Sequence, residues 1–406
     1  MQKRMAHLPL HGGKAPAWLF QRMTKLAGAI TMAIVDEFGP LEMLARLSDP
    51  WWFQAFGCVL GFDWHSSGVT TVTCGALKEA ARLFGDDLGI LVAGGKGATS
   101  RKTPAEIIAA ADRLGLSHGD RLVYASKMSA KVDSAAVQDG YQLYQHNMFF
   151  TPAGQWCVVQ QGMNDEQKQA RRYHWLGSTV DDFVCDPHAA VSDLRESAGP
   201  RDSAHPSASP PANQKRSPRQ LLLNLVAGEA NDNRTATTRL IGEHPDWIMN
   251  EWRLATSGPT LFAPRHHRVL DSDINPERLR KLVVLAHEQH PQDFETLVGA
   301  AGVGPATLRS LTLLAEIIFA APVSHRDPAD GAVSTTSDPA STLPEQRRWA
   351  DYSYAHGGKD RTPFPVDCET YDRNIQVLLQ AVKRARVGDN EKFEALRRLQ
   401  EHRPTG

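Results

Sequence analysis

Residues 197–217 read SAGPRDSAHPSASPPANQKRS. This run of Pro, Ser, Ala and polar residues holds no apolar side chain larger than Pro. It cannot bury enough surface to offset the entropy of ordering it. A disordered linker is therefore expected over residues 196–217, and it splits the 406-residue chain into two parts of ordinary domain size. The expected architecture is an α/β or α+β N-terminal domain with a small mixed sheet over residues 1–195. An all-α C-terminal domain is expected over residues 218–406. A second polar stretch, DGAVSTTSDPAS (330–341), reads as a mobile loop.

Hydrophobic content of 41% supports real cores, and the formal net charge of -1 excludes a globally basic nucleic-acid binder. Anion sites must come from local patches. Cys58, Cys74, Cys157, Cys185 and Cys368 are widely spaced, odd in number and contain no CxxC pair. A zinc ribbon or disulfide framework is disfavoured, and a reducing, cytoplasmic setting is expected. The N-terminus lacks an apolar signal-peptide core, and no apolar run approaches a membrane span.

In the first part, the letters predict a helix over 16–32 and a short one from Pro40. They then predict a strand over Val69–Cys74, a helix over Ala76–Phe84 and a strand over Gly89–Ala93. That strand runs into Gly94-Gly95-Lys96-Gly97-Ala98-Thr99-Ser100-Arg101-Lys102, and Thr103 is expected to cap the helix from Pro104. Lys96, Arg101 and Lys102 in a Gly/Ser loop suit an anion such as a DNA backbone, although the Walker spacing is absent. His11-Gly12-Gly13-Lys14 and His356-Gly357-Gly358-Lys359 are two shorter loops of the same letters, each readable as a plain turn.

The densest polar stretch is Lys127–Trp175. Tyr141–Phe150 and Gln155–Gln161 read as a hairpin turning at Thr151-Pro152-Ala153-Gly154. Asn164 is expected to cap a following helix, which would place Arg171, His174 and Trp175 on one face. A carboxylate at Asp139 with His146 and Gln160 on adjacent strands could hold Mg²⁺ or Mn²⁺ for phosphodiester cleavage. In that reading Asp139 and His146 are metal ligands, and Gln160 is a ligand or positions water. Lys127 or Arg171 stabilises the developing charge, and Asp36 or Asp63 is the candidate second carboxylate. Lys131 and Arg172 would serve a catalytic site or a DNA groove equally well. The rival reading is a satisfied amide network on polar strands.

In the second part, Asn275 is expected to cap a helix that starts at Pro276, and a helix begins in Leu221–Ala230. Further helices are expected over 369–386 and 391–402, and Pro264-Arg265-His266-His267 reads as a surface or phosphate-facing segment. Residues Glu295–Phe319 read as helix, Gly302-Val303-Gly304 turn, then a helix with Leu308, Leu311, Leu314, Ala315 and Ile318 on its apolar face. This resembles the helix-hairpin-helix of DNA repair and recombination proteins. There the turn's amides meet a phosphate, which implies sequence-independent backbone binding. Gly302, Val303, Gly304, Thr307 and Arg309 are the backbone-binding candidates. The bland alternative is a helical hairpin with a Gly-rich turn.

Taken together, LPLHGGKAPAWLF, ASKMSAKVDSAAVQDGYQLYQH, WCVVQQGMN, ARRYHWL, PRHH and YAHGGKD resemble the DUF763 family of bacterial and archaeal proteins. With the hairpin, this implies a DNA-binding protein of repair or recombination with a divalent-metal nuclease centre. The alternative is a non-enzymatic adaptor that recruits a helicase or nuclease. A homodimer or a repair protein would be the protein partner, and no membrane contact is expected. A base-excision glycosylase, with Asp327 as its carboxylate, is a third reading.

Overall fold

The computed structural model describes residues 17–60, 68–165, 169–195, 222–256 and 276–330, with scattered helical positions between 380 and 397. The two His-Gly-Gly-Lys loops, Asp63, the linker, Pro264–His267, Asn275 and the 331–341 stretch lie outside the described residues, as does most of 369–402.

Four helices open the chain: α1 (Ala17–Phe38), α2 (Pro40–Ser48), α3 (Pro50–Leu60) and α4 (Gly68–Phe84). Then come β1 (Leu91–Lys96), α5 (Thr103–Leu114), α6 (Gly119–Lys131) and a π-helical turn over Val132–Ala136. The strands β2 (Val137–Gln138), β3 (Gln142–Phe150), β4 (Trp156–Asn164), β5 (Gln169–Leu176), β6 (Ala190–Arg195) and β7 (Leu223–Asn224) follow. The stretches 222–256 and 276–330 hold α7 (Asn231–Ile241), α8 (Pro245–Thr256), α9 (Pro276–Glu288), α10 (Phe294–Gly299) and α11 (Pro305–Phe319). The fold is thus mostly helical, with a small sheet in the middle.

That sheet has the order β1-β3-β4-β5-β6, and every pairing in it is antiparallel. The expectation of a mixed sheet is corrected: the β3–β4 and β4–β5 links are too short for the crossover that parallel neighbours need. Both faces are covered. On one, Met148, Phe150, Val158, Tyr173 and Trp175 pack with Leu122 and Met128 of α6 and with Leu297, Leu308 and Leu311 of the last helices. On the other, Phe149, Cys157 and Val159 pack against Leu26, Ile30, Trp52, Phe53, Phe56 and Leu77 of the N-terminal helices. Each such side chain, fully buried, contributes about 1.5–3 kcal/mol.

Four local expectations are overturned. Val69–Cys74 opens α4 rather than forming a strand: Val69, Thr70, Thr73, Cys74, Leu77 and Ala80 are buried at helical spacing. Tertiary packing there overrides the weak preference of β-branched residues for strands. Asn164 ends β4 instead of capping a helix, and Arg171–Trp175 lies in β5. A strand buried on both faces shows no polar alternation, so ARRYHWL lacked the usual sign. Thr103 is the first residue of α5, with Lys102 before it, and its hydroxyl donates to the Ser100 carbonyl at 2.6 Å. Residues 221–230 likewise contain β7 and a short 3-10 turn before α7 begins.

Candidate functional site

Period-two alternation puts His146, Gln160 and Tyr173 in one row across β3, β4 and β5, since His146 pairs with Gln160 and Gln160 with Tyr173. The row faces α6. His146 bonds Ser126 Oγ through Nε2 at 2.8 Å and Gln160 Oε1 through Nδ1 at 2.8 Å. The Gln160 amide nitrogen donates to the Ser129 carbonyl at 2.9 Å and to Asp133. Its Oε1 is therefore the acceptor, so His146 carries its proton on Nδ1 and Nε2 accepts from Ser126. Burial lowers the His146 pKa, which keeps this ring neutral.

Asp133 sits in the π-helical turn and is fully buried. Its carboxylate accepts from Gln160, from Trp175 Nε1 at 2.9 Å and from His188. Three donors around one carboxylate are what makes such a buried charge tolerable. Sequence reasoning passed over Asp133, Ser126 and His188. The π-turn that aims Asp133 at the sheet leaves no mark in the letters, and His188 comes from a separate loop.

Asp139 lies in a second, neighbouring network. Arg171 holds it at 2.9 Å, Tyr173 Oη donates at 2.7 Å and the Tyr141 amide at 3.1 Å. Arg171 also reaches Asp327 at 3.0 Å, tying β5 to the segment after α11. Burial pushes the Asp139 carboxyl up, against the opposing pull of Arg171 and Tyr173. His146 and Gln160 are brought together, but no hydrogen bond joins either to Asp139. Both expected metal ligands spend their polar atoms on protein partners. Among the described residues no group of three His, Cys, Asp or Glu is placed to hold a metal. Asp36 is exposed on α1, and Lys127 is exposed on α6.

The opposite face carries a different polar layer. Arg172 is fully buried. It donates from Nε to His174 Nε2 at 2.9 Å, and from its terminal nitrogens to Gln54 Oε1 and Thr70 Oγ1 at 3.2 Å and to the Pro50 carbonyl at 3.3 Å. Its guanidinium stands 4.6 Å from the Phe53 ring centroid, and burial brings its pKa down to about 9. No carboxylate among the described residues pairs with it. His174 hydrogen-bonds the Leu47 carbonyl through Nδ1, which leaves Nε2 free to accept from Arg172.

The Gly-rich loop begins inside β1. Lys78 donates to the Gly94 carbonyl at 2.5 Å, and Glu106 accepts from the Gly94 amide at 2.8 Å. Gly94 has φ +98, and a Cβ there would meet the His146 carbonyl at 2.2 Å, so no other residue fits. Lys96, Arg101 and Lys102 are exposed, with the Lys96 ammonium 5.5 Å from the Tyr144 ring centroid.

The Glu295–Phe319 stretch forms α10, a turn and α11. Asp293 caps α10 by accepting from the Thr296 amide at 2.7 Å. Gly302 is left-handed (φ +82) and exposed, and Gly304 precedes Pro305 at the start of α11. Lys131 Nζ donates to the carbonyls of Ala300 at 3.1 Å and Val303 at 2.6 Å. Val303 is buried, and so is Thr307, whose hydroxyl has no partner among the described residues. Arg309 is half-buried and donates to Gln138 at 2.8 Å, while Gln138 donates to the Pro305 carbonyl at 2.9 Å.

Comparison with curated proteins gave no match, and neither did comparison with solved structures. The family model described as "Protein of unknown function (DUF763)" matches residues 4–200 and 204–366, and the chain belongs to that family.

Proposed function

We propose that this protein binds DNA by its phosphate backbone, in repair or recombination, through a helix-hairpin-helix formed by α10, the 300–304 turn and α11. One observation carries the reading. Lys131 draws the Ala300 and Val303 carbonyls toward the body of the protein, while Gly302 is exposed and Gly304 half-exposed. The Ala301 amide donates to Gln289 Oε1 at 2.9 Å and the Val303 amide to the Ala300 carbonyl at 3.3 Å, so the Gly304 amide and the first turn of α11 are what is left for an anion. Binding of this kind reads phosphates and not bases.

The adaptor form of this reading is favoured over a nuclease. Cleavage with Mg²⁺ or Mn²⁺ at Asp139 and His146 would require exchanging Arg171, Tyr173, Ser126 and Gln160 for the ion. The test is Gly304→Asp. No atom lies within 4 Å of a Cβ built at Gly304, and its φ of -140 suits any residue. Asp is also a good N-cap, so the fold is expected to hold while a carboxylate occupies the phosphate position. Wild type should bind a labelled random-sequence duplex in chelator, more weakly as salt rises, and the variant should lose at least about tenfold in affinity. Equal binding by both would sink the reading. Mg²⁺-dependent cutting that Asp139→Ala abolishes would restore the nuclease.

A further inference from the structure

The turn and its flanks, Gly299 to Leu308, contain no Lys or Arg, and Arg309 just beyond them is half-buried and donates to Gln138 at 2.8 Å. An amide cradle alone is a weak anion site, because partial charges in contact with water are well screened. The missing charge arrives from elsewhere in the chain. Helix α6 lies along the whole hairpin: Tyr124 bonds Glu295 at the start of α10, and a Cβ at Gly299 would sit 3.3 Å from the Met128 sulfur. Lys131, at the end of α6, reaches the turn itself. An ammonium has three donors. Two of those on Lys131 go to Ala300 and Val303, and no described residue accepts the third. Lys127 stands one helical turn earlier on the same stripe of α6, about 6 Å along the axis, and is exposed.

We infer that α6 completes the DNA-backbone site, with Lys131 placing its ammonium behind the hairpin's phosphate and Lys127 contacting a flanking phosphate. The site is then composite, its amides from α11 and its cations from a helix some 170 residues earlier. Half-burial lowers the Lys131 pKa, and a phosphate against it favours the charged form.

This inference rests on the DNA-backbone reading, and the experiment separates the two. Duplex affinity is measured across a salt series for the full-length wild type, Gly304→Asp, Lys131→Met, Lys131→Arg and Lys127→Met, with thermal melts alongside. Lys131→Met should weaken binding about tenfold and flatten the log–log salt slope by about one. Lys127→Met should flatten it by a similar amount with a smaller loss of affinity, and Lys131→Arg should keep the wild-type slope. A purely structural lysine would lower the melting temperature and leave the slope alone. If Gly304→Asp abolishes binding while both Met variants keep the wild-type slope, the inference falls and the hairpin reading stands. If Gly304→Asp binds normally, the hairpin reading itself falls. Should Lys131→Met not fold, Lys127→Met decides: the exposed side chain carries no packing, so an unchanged slope there removes α6 from the site.

Discussion

Arg171 and Arg172 are neighbours in β5, and they point to opposite faces of one sheet. Both are buried. Arg171 meets two carboxylates, Asp139 and Asp327. Arg172 meets an imidazole, an amide, a hydroxyl and a backbone carbonyl, all neutral. The α6 face therefore balances charge with charge, and the N-terminal face dissolves a lone charge in dipoles. The first arrangement links segments distant in sequence by ion pairs. The second clamps α2, α3 and α4 to the sheet through one side chain and its neighbour His174.

Breaking the comparison should hurt most on the paired side. Arg171→Met strands Asp139 as a buried carboxylate, and a loss of about 3–5 kcal/mol in urea unfolding is expected. A loss below about 1 kcal/mol would mean that Asp139 simply takes up a proton in the variant.

Acid comes next, because each face holds a neutral histidine. Burial depresses the pKa of both His146 and His174, and Arg172 depresses His174 further. Their folded pKa values lie below the unfolded value of about 6.5. The unfolded chain therefore binds protons first as pH falls, so stability is full above that value and drops below it. Each histidine costs up to about 1.4 kcal/mol per pH unit until its folded pKa is reached. Melting temperatures measured from neutral to mildly acidic pH should trace this decline, and a flat profile would contradict it.

The smallest effect belongs to the unpaired side. Arg172→Met removes a buried charge that no described carboxylate pairs with, and takes one donor each from Gln54, Thr70 and His174. A loss of about 1–2 kcal/mol is expected. The same variant should make the acid limb shallower, since without the Arg172 charge the folded His174 pKa moves back toward the unfolded value and its share of the acid loss shrinks. If Arg172→Met proved as damaging as Arg171→Met, the neutral clamp would have to be worth as much as an ion pair.

Much of the α6-facing row was readable from the letters, because a hairpin with a clear turn fixes which residues oppose each other. Thr151 and Gly154 close that turn, with the Gly154 amide donating to the Thr151 carbonyl at 3.0 Å, so His146 falls opposite Gln160. The Arg172 layer was not readable. Taken as a helix, 171–175 puts Arg171 and His174 together; as a strand, it puts them on opposite faces. Asp133 was hidden for another reason: a π-turn changes which way a side chain points without changing composition. The two-helix hairpin at 294–319 was plain from its glycines and Pro305. Its dependence on Lys131 was not, since a contact between residues so far apart leaves no periodic trace.

Strand β7 pairs with β2, the Leu225 amide donates to the Ala136 carbonyl at 3.0 Å, and the Asp186 amide to the Val226 carbonyl at 2.7 Å. The chain that leaves β6 at Arg195 is thus stitched back into the same core by 223–226. A cut between residues 196 and 221 would leave those contacts untouched. The protein should behave as a natural split pair: cut once in that interval, its two pieces should stay together as a heterodimer, and made separately they should find each other and fold as one.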